Sequence, residues 1–266
     1  MSQAHSDRKM GFGVLCFGLL AAVALFGVPA KHPPAMLAVS AALFLVICAA
    51  AWSVISKSLA SEDESRRTLA ITGLLLIAPF ALFAWLPGYG PPEMATAAQN
   101  EVRYLVLLVG TFLVAAGFVM LARSSLSAAN ERCWSSLGFA CAGLAAPLYA
   151  VFCSVQLAMS SELAPGPQGG SSGLIGTISL ILLFFGACLG HCATLFYAMS
   201  LVKVGWVSRG SARALAGFSL IGLLSLVFAK ASSPEWFELP LFIAAIPAVP
   251  WIMPALIGLG LLRRSE

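Results

Sequence analysis

Residues 102–122 read Val-Arg-Tyr-Leu-Val-Leu-Leu-Val-Gly-Thr-Phe-Leu-Val-Ala-Ala-Gly-Phe-Val-Met-Leu-Ala. Beyond Arg103, nothing in this run carries a charge. Its length matches the roughly 20 apolar residues that an α-helix needs to cross the hydrocarbon core of a bilayer. Working outward in both directions, similar runs occupy 10–30, 34–56, 68–87, 135–160, 173–202, 211–230 and 239–262. Short polar breaks separate them, such as 57–67, 88–101 and the Gly-, Pro- and Ser-rich stretch 161–172. The longest is about a dozen residues, so no soluble domain fits between runs, and 1–266 reads as a single transmembrane domain. The expected fold is all-α, a polytopic integral membrane bundle of about eight transmembrane helices.

Composition supports lipid as the solvent. Sixty per cent of the residues are hydrophobic and a tenth are charged, where a soluble domain carries about a quarter charged residues. The mean hydropathy is +0.94. A transmembrane β-barrel would show alternation in ~10-residue segments, and the runs show none. The net charge of +4 is spread singly or in pairs near run ends, which excludes a nucleic-acid footprint. Six of the seven cysteines fall inside apolar runs and no CxxC pair occurs, so packing is their ordinary role.

Lysine and arginine in loops favour the cytoplasmic side. With the N-terminus inside, Arg8, Lys9, Lys57, Arg66, Arg67, Arg123, Arg132, Lys203, Arg209, Arg213, Arg263 and Arg264 fall inside. Lys31, Arg103 and Lys230 fall outside. Both termini are therefore expected in the cytoplasm, in a bacterial inner (plasma) membrane. Arg8-Lys9 followed by an apolar run and Val28-Pro29-Ala30 also has the outline of a cleaved signal. That run exceeds the usual 7–15 residues, which favours a retained helix. Gly13, Cys16, Gly18, Leu19 and Ala21 match Gly138, Cys141, Gly143, Leu144 and Ala146 at constant offset; in a chain this rich in Gly, Ala and Leu, chance explains the match.

No acidic residue lies in mid-span, whereas ion-coupled pumps place carboxylates or paired charges within the membrane. The ionisable group at depth is His191, in Phe184-Phe185-Gly186-Ala187-Cys188-Leu189-Gly190-His191-Cys192. At 3.6 residues per turn, Cys188, His191 and Cys192 share a broad face with Met199, and Gly186 and Gly190 lie nearly opposite. Thiol, thioether and imidazole suit a soft metal, but one helix supplies an incomplete ligand set. A packed, hydrogen-bonded histidine is the simpler reading, and neither a metal nor a cofactor is expected. Gly217-Phe218-Ser219 gives a GxS fragment, but His191 and Ser219 differ in depth. Walker, HExxH and GxGxxG patterns are absent, as are a mid-helix lysine and counter-ion for retinal. None of these motifs carries a family resemblance.

The last run contains Pro247, Pro250, Trp251 and Pro254. Three prolines within eight residues remove three amide donors, so the span is expected to break near the midplane with Trp251 facing protein. Freed carbonyls at that depth need partners, and hydroxyls such as Thr111, Ser219 or Ser225 qualify. These observations favour a protein that binds or translocates a small neutral or hydrophobic ligand. The speculative ligand-binding residues are His191, Cys188, Cys192, Pro247, Pro250, Trp251 and Pro254. An assembly subunit is the second reading, in which small residues such as Gly138, Ala142 and Ala146 pack against a partner membrane protein or another copy. A membrane enzyme, or a metal or haem site centred on His191, is the third.

The topology is directly testable. In intact cells, with the native thiols removed, an impermeant thiol reagent should label Gln168→Cys and spare Ser61→Cys; the reverse pattern overturns the orientation.

Overall fold

The computed structural model describes residues 11, 13–19, 21, 33–84, 86, 89, 92, 95–128, 132–161, 171–231 and 248–265. Ninety-one per cent of them are helical and no strand is present among them, so the all-α class holds. The helices are α1 (Pro33–Leu59), α2 (Glu64–Phe83), α3 (Ala97–Ala128), α4 (Cys133–Ser160), α5 (Ser171–Lys203), α6 (Arg209–Ala231) and α7 (Ala248–Arg264), preceded by helical residues 13–19. Six of them, α1 to α6, are long and apolar enough to cross a membrane. That is fewer than the eight spans expected: α7 has 17 described residues, short of the roughly 20 a span needs, and most of 10–30 lies outside the described residues.

Local chemistry sets the boundaries where hydropathy misjudges them. The third run, expected at 68–87, forms α2 four residues earlier because Asp63 caps it. The Asp63 carboxylate accepts from the amides of Ser65 at 3.0 Å and Arg66 at 3.4 Å, satisfying orphan donors of the first turn. The helix stops ahead of Pro87, where a following proline disfavours helical backbone. At α3, the Thr96 amide donates to Gln99 Oε1 at 2.9 Å and the Gln99 amide to Thr96 Oγ1 at 3.3 Å, a reciprocal capping box. Arg103 lies inside this helix and is buried. Cys133, expected in a loop, opens α4. Gly205 ends α5 at φ 73°. The Trp206 amide then reaches the Leu201 carbonyl at 2.8 Å and the Gly205 amide the Val202 carbonyl at 3.0 Å, a Schellman closure that needs the left-handed glycine.

Successive helices pack in chain order from α1 to α6, and α7 returns to lie chiefly against α2, with smaller contacts to α5 and α6. It is the enclosed helix, with Trp251, Met253, Ala255, Ile257, Leu259, Leu261 and Leu262 buried. Its crossing of α2 is backbone on backbone. A Cβ on Gly73 would stand 2.8 Å from the Gly258 carbonyl oxygen, and one on Gly258 would stand 2.7 Å from the Gly73 carbonyl oxygen. At the C-terminal end, Ser58 Oγ donates to the Ser265 carbonyl at 3.0 Å and Arg264 Nη1 to the Gly205 carbonyl at 2.7 Å. These contacts gather the ends of α1, α5 and α7 with the starts of α2 and α6. Lys57, Arg66, Arg67, Lys203, Arg209, Arg263 and Arg264 all belong to that basic end.

The expected break in the last span is not seen at Pro250 or Pro254. Both lie within α7, which continues to Arg264. Pro250 is the third residue, where the missing amide would have had no helical partner. Pro254 does remove one bond, freeing the Pro250 carbonyl, yet the helix runs on. Pro247 lies outside the described residues.

The glycine crossing makes a quantitative expectation. Gly258→Ala should lower the unfolding midpoint in detergent, with a cost of at least the ~1–3 kcal/mol typical of overpacking, because a carbonyl cannot swing aside as a side chain can. Gly143→Ala, whose Cβ would meet nothing within 4 Å, should leave the midpoint unchanged or raise it.

Candidate functional site

At mid-length of α3, α4 and α5, a cavity of about 20 Å³ opens between these helices and α7. Thr111, Val114 and Phe118 of α3 line it, with Ala142, Ala145, Ala146 and Tyr149 of α4, Gly190 of α5, and Pro250, Trp251 and Pro254 of α7. The volume suffices for one water molecule. Most of the wall is apolar, and its polar groups come from Tyr149 and Thr111.

Tyr149 is only 2 % exposed, and its hydroxyl has no hydrogen-bond partner among the described residues. A buried hydroxyl without a partner costs on the order of 1–3 kcal/mol, so this atom sets the chemistry of the cavity. Its place comes from small residues around it. A Cβ on Gly186 would stand 3.5 Å from the Tyr149 ring, and one on Gly190 would stand 3.5 Å from Pro250 Cβ and 3.8 Å from the Tyr149 hydroxyl. Both distances are ordinary van der Waals contacts, so the GxxxG face of α5 lies directly against this tyrosine and proline. Thr111 Oγ1 donates to the Leu107 carbonyl of its own helix at 2.9 Å, which leaves its lone pairs to accept.

Trp251 forms the wall opposite Tyr149 and is 3 % exposed. Its ring stacks on Phe83 of α2, with centroids 5.7 Å apart and planes 4° from parallel. It meets Tyr149 edge-on at 6.1 Å and 69°. Gly110 leaves the slot: a Cβ there would fall 2.7 Å from the indole.

The structure therefore gathers Pro250, Trp251 and Pro254 at one cavity and adds Thr111, one of the hydroxyls expected beside them. Ser219, another such hydroxyl, is buried without a partner among the described residues and does not line the cavity. His191 goes elsewhere. It is buried, and its ring fills the space over Gly222 of α6, where a Cβ would lie 2.6 Å from Nε2. Cys188 packs instead against the cluster of Tyr149, Ala145, Ala187 and Leu226, so His191 and Cys188 serve different neighbours, and Cys192 does not line the cavity. Among the described residues, no three His, Cys, Asp or Glu side chains converge on a metal-sized site. The Ser219 hydroxyl is not paired with His191.

The small-residue face of α4 is covered by the chain itself. Gly138 accommodates the Tyr197 ring, which would stand 2.9 Å from a Cβ there. That ring also stacks on Phe118 at 5.0 Å, and its hydroxyl donates to the Phe118 carbonyl at 3.1 Å. Tyr149 itself had no sequence signal. Tyrosine in mid-run reads as filler until the structure reveals its unmatched hydroxyl.

Comparison of the chain with protein-family models, curated proteins and solved structures gives no match. The geometry alone bears on function.

His191→Ala should lower the thermal midpoint in detergent, since it empties the space over Gly222, and should leave the metal content of purified protein unchanged. Stoichiometric copper that survives dialysis in the wild type and vanishes in the variant would overturn the packing role.

Proposed function

We propose that this multi-pass membrane protein binds a small neutral ligand at mid-depth, with one polar atom of the ligand paired to the Tyr149 hydroxyl. The observations that support this are that Tyr149 lines the cavity and that its buried hydroxyl has no hydrogen-bond partner among the described residues. The apolar remainder of the wall (alanines 142, 145 and 146, Val114 and Trp251) favours a neutral molecule, because an ion there would lose its hydration with no opposite charge to replace it. At about 20 Å³ the cavity admits a single water-sized group, so a ligand of several heavy atoms enters by displacing a side chain. Trp251 is the side chain to move, as it forms the wall between the cavity and Phe83. No group placed for catalysis lines this cavity, which favours a binding role over an enzyme.

Acetone, neutral and carrying one carbonyl acceptor, is the test probe. In a variant that keeps Trp251 and replaces the other five tryptophans with phenylalanine, acetone should quench the emission with saturation, as binding requires. Adding Tyr149→Phe removes the donor, and the affinity should fall by up to about tenfold. Linear, collisional quenching in the parent variant, or saturation unaffected by Tyr149→Phe, would defeat the reading.

A further inference from the structure

A second concavity lies on the opposite side of α7, at the basic end. It is a groove of about 510 Å³ between α6 and α7. Residues 211, 214, 215 and 218 of α6 line one wall, and residues 256, 260 and 263 of α7 line the other. Both sets follow helical spacing, so each is one continuous face. The groove is graded along its length. Arg263, Trp206, Ser208 and Ser211 stand at its outer end, while Leu215, Phe218 and Leu256 form its deeper part. Phe218 is 59 % exposed and Leu256 is 42 % exposed, although most described positions of α7 are buried. Gly260 forms part of the floor, where a Cβ would meet nothing within 4 Å.

We propose that this groove holds an anionic glycerophospholipid, its phosphate at the Arg263 end and one acyl chain along Leu215, Phe218 and Leu256. Charge complementarity selects the headgroup. The exposed Arg263 guanidinium is a bidentate phosphate partner, and no carboxylate lines the groove among the described residues. Ser208 and Ser211 add hydroxyls, with Ser208 capping α6 through the Ser211 amide at 3.1 Å. The positive end of the α6 dipole points the same way. Arg264 is already engaged, since it binds the Gly205 carbonyl and lies over the Trp206 ring at 6.0 Å, which fixes that ring at the groove mouth. The apolar length decides between a lipid and free phosphate, because an inorganic ion would make no use of Phe218 or Leu256. Basic pockets between transmembrane helices bind anionic headgroups in this manner.

The test measures thermal stabilisation of the full chain in dodecyl maltoside on adding dioleoyl phosphatidylglycerol, dioleoyl phosphatidylcholine or inorganic phosphate. Phosphatidylglycerol should stabilise at a lower concentration than phosphatidylcholine, and inorganic phosphate should have no effect. Arg263→Gln should weaken the preference for phosphatidylglycerol roughly fivefold. Gly260→Leu should reduce the response to both lipids by filling the groove, and neither substitution removes a buried contact that folding needs. Arg213→Gln, on the same helix as Ser211 but outside the groove lining, should keep the preference. Equal responses to the two lipids, an equal response to inorganic phosphate, or a preference unchanged by Arg263→Gln would each overturn the proposal. So would native mass spectra showing a second copy of the chain bound in place of lipid, with dimers lost in Gly260→Leu.

Discussion

The contact on which the rest depends is the crossing of Gly73 and Gly258. Within a bilayer, lipid tails match leucine in polarity, so helices associate through close packing and interhelical hydrogen bonds rather than through water exclusion. A pair of facing glycines brings two backbones to the distance at which each carbonyl oxygen blocks the other's Cβ position. Such proximity also brings Cα–H groups toward carbonyl oxygens, a weak attraction that recurs at helix crossings. With α7 held on α2 there, its remaining contacts follow from helical geometry. Two turns toward the N-terminus, Trp251 meets Phe83. Two turns toward the C-terminus, Ser265 meets Ser58.

Polar atoms at depth are the second constraint. Several hydroxyls inside the bundle, such as Thr72 and Thr111, are satisfied by the carbonyl four residues earlier in the same helix. Tyrosine cannot do this, because its hydroxyl stands too far from its own backbone. Tyr197 reaches across to the Phe118 carbonyl instead. Tyr149, beside the cavity, finds no such partner among the described residues. Two tyrosines in one bundle thus show the two outcomes open to a long buried donor, a neighbour's carbonyl or an unfilled space.

Much of the architecture was legible in the sequence because hydropathy reports directly on lipid exposure. The runs at 34–56, 135–160, 173–202 and 211–230 all became helices of similar extent, and the run at 102–122 became the core of the longer helix Ala97–Ala128. Boundaries were less legible where polar first turns extend a helix, as Glu64 to Arg67 do in α2. Of the three prolines expected to break the last span, the two inside α7 leave it helical. Pro250 sits where its missing amide costs nothing, and a helix tolerates Pro254 at the loss of one bond. The candidate site was readable only in part, for a physical reason. Pro250, Trp251 and Pro254 advertise themselves by their chemistry, whereas Tyr149 matters through what fails to surround it. His191 and Cys188 share an arc on a helical wheel, yet more than one helix packs around α5, so His191 meets Gly222 of α6 while Cys188 packs beside Tyr149 of α4.

Helix α7 presents two different faces, and Pro254 lies between the regions that use them. Pro250, Trp251 and Pro254 itself look into the cavity, while Leu256, Gly260 and Arg263 look into the groove. Gly258 shares the helical line of Trp251, two turns further on, and packs against α2. The helix is therefore anchored within the segment that forms the groove, and the segment that walls the cavity projects beyond the anchor. The Pro250 carbonyl has no amide from Pro254, so the bond that would stiffen that projection is the one missing. Motion of Trp251 is accordingly resisted by the Phe83 stack and the Gly110 slot rather than by the backbone of α7. An aromatic stack contributes about 0.5–1.5 kcal/mol beyond area burial, a modest restraint compared with a backbone crossing. The Trp251 wall is thus held by weaker restraints than the backbone crossing of Gly73 and Gly258.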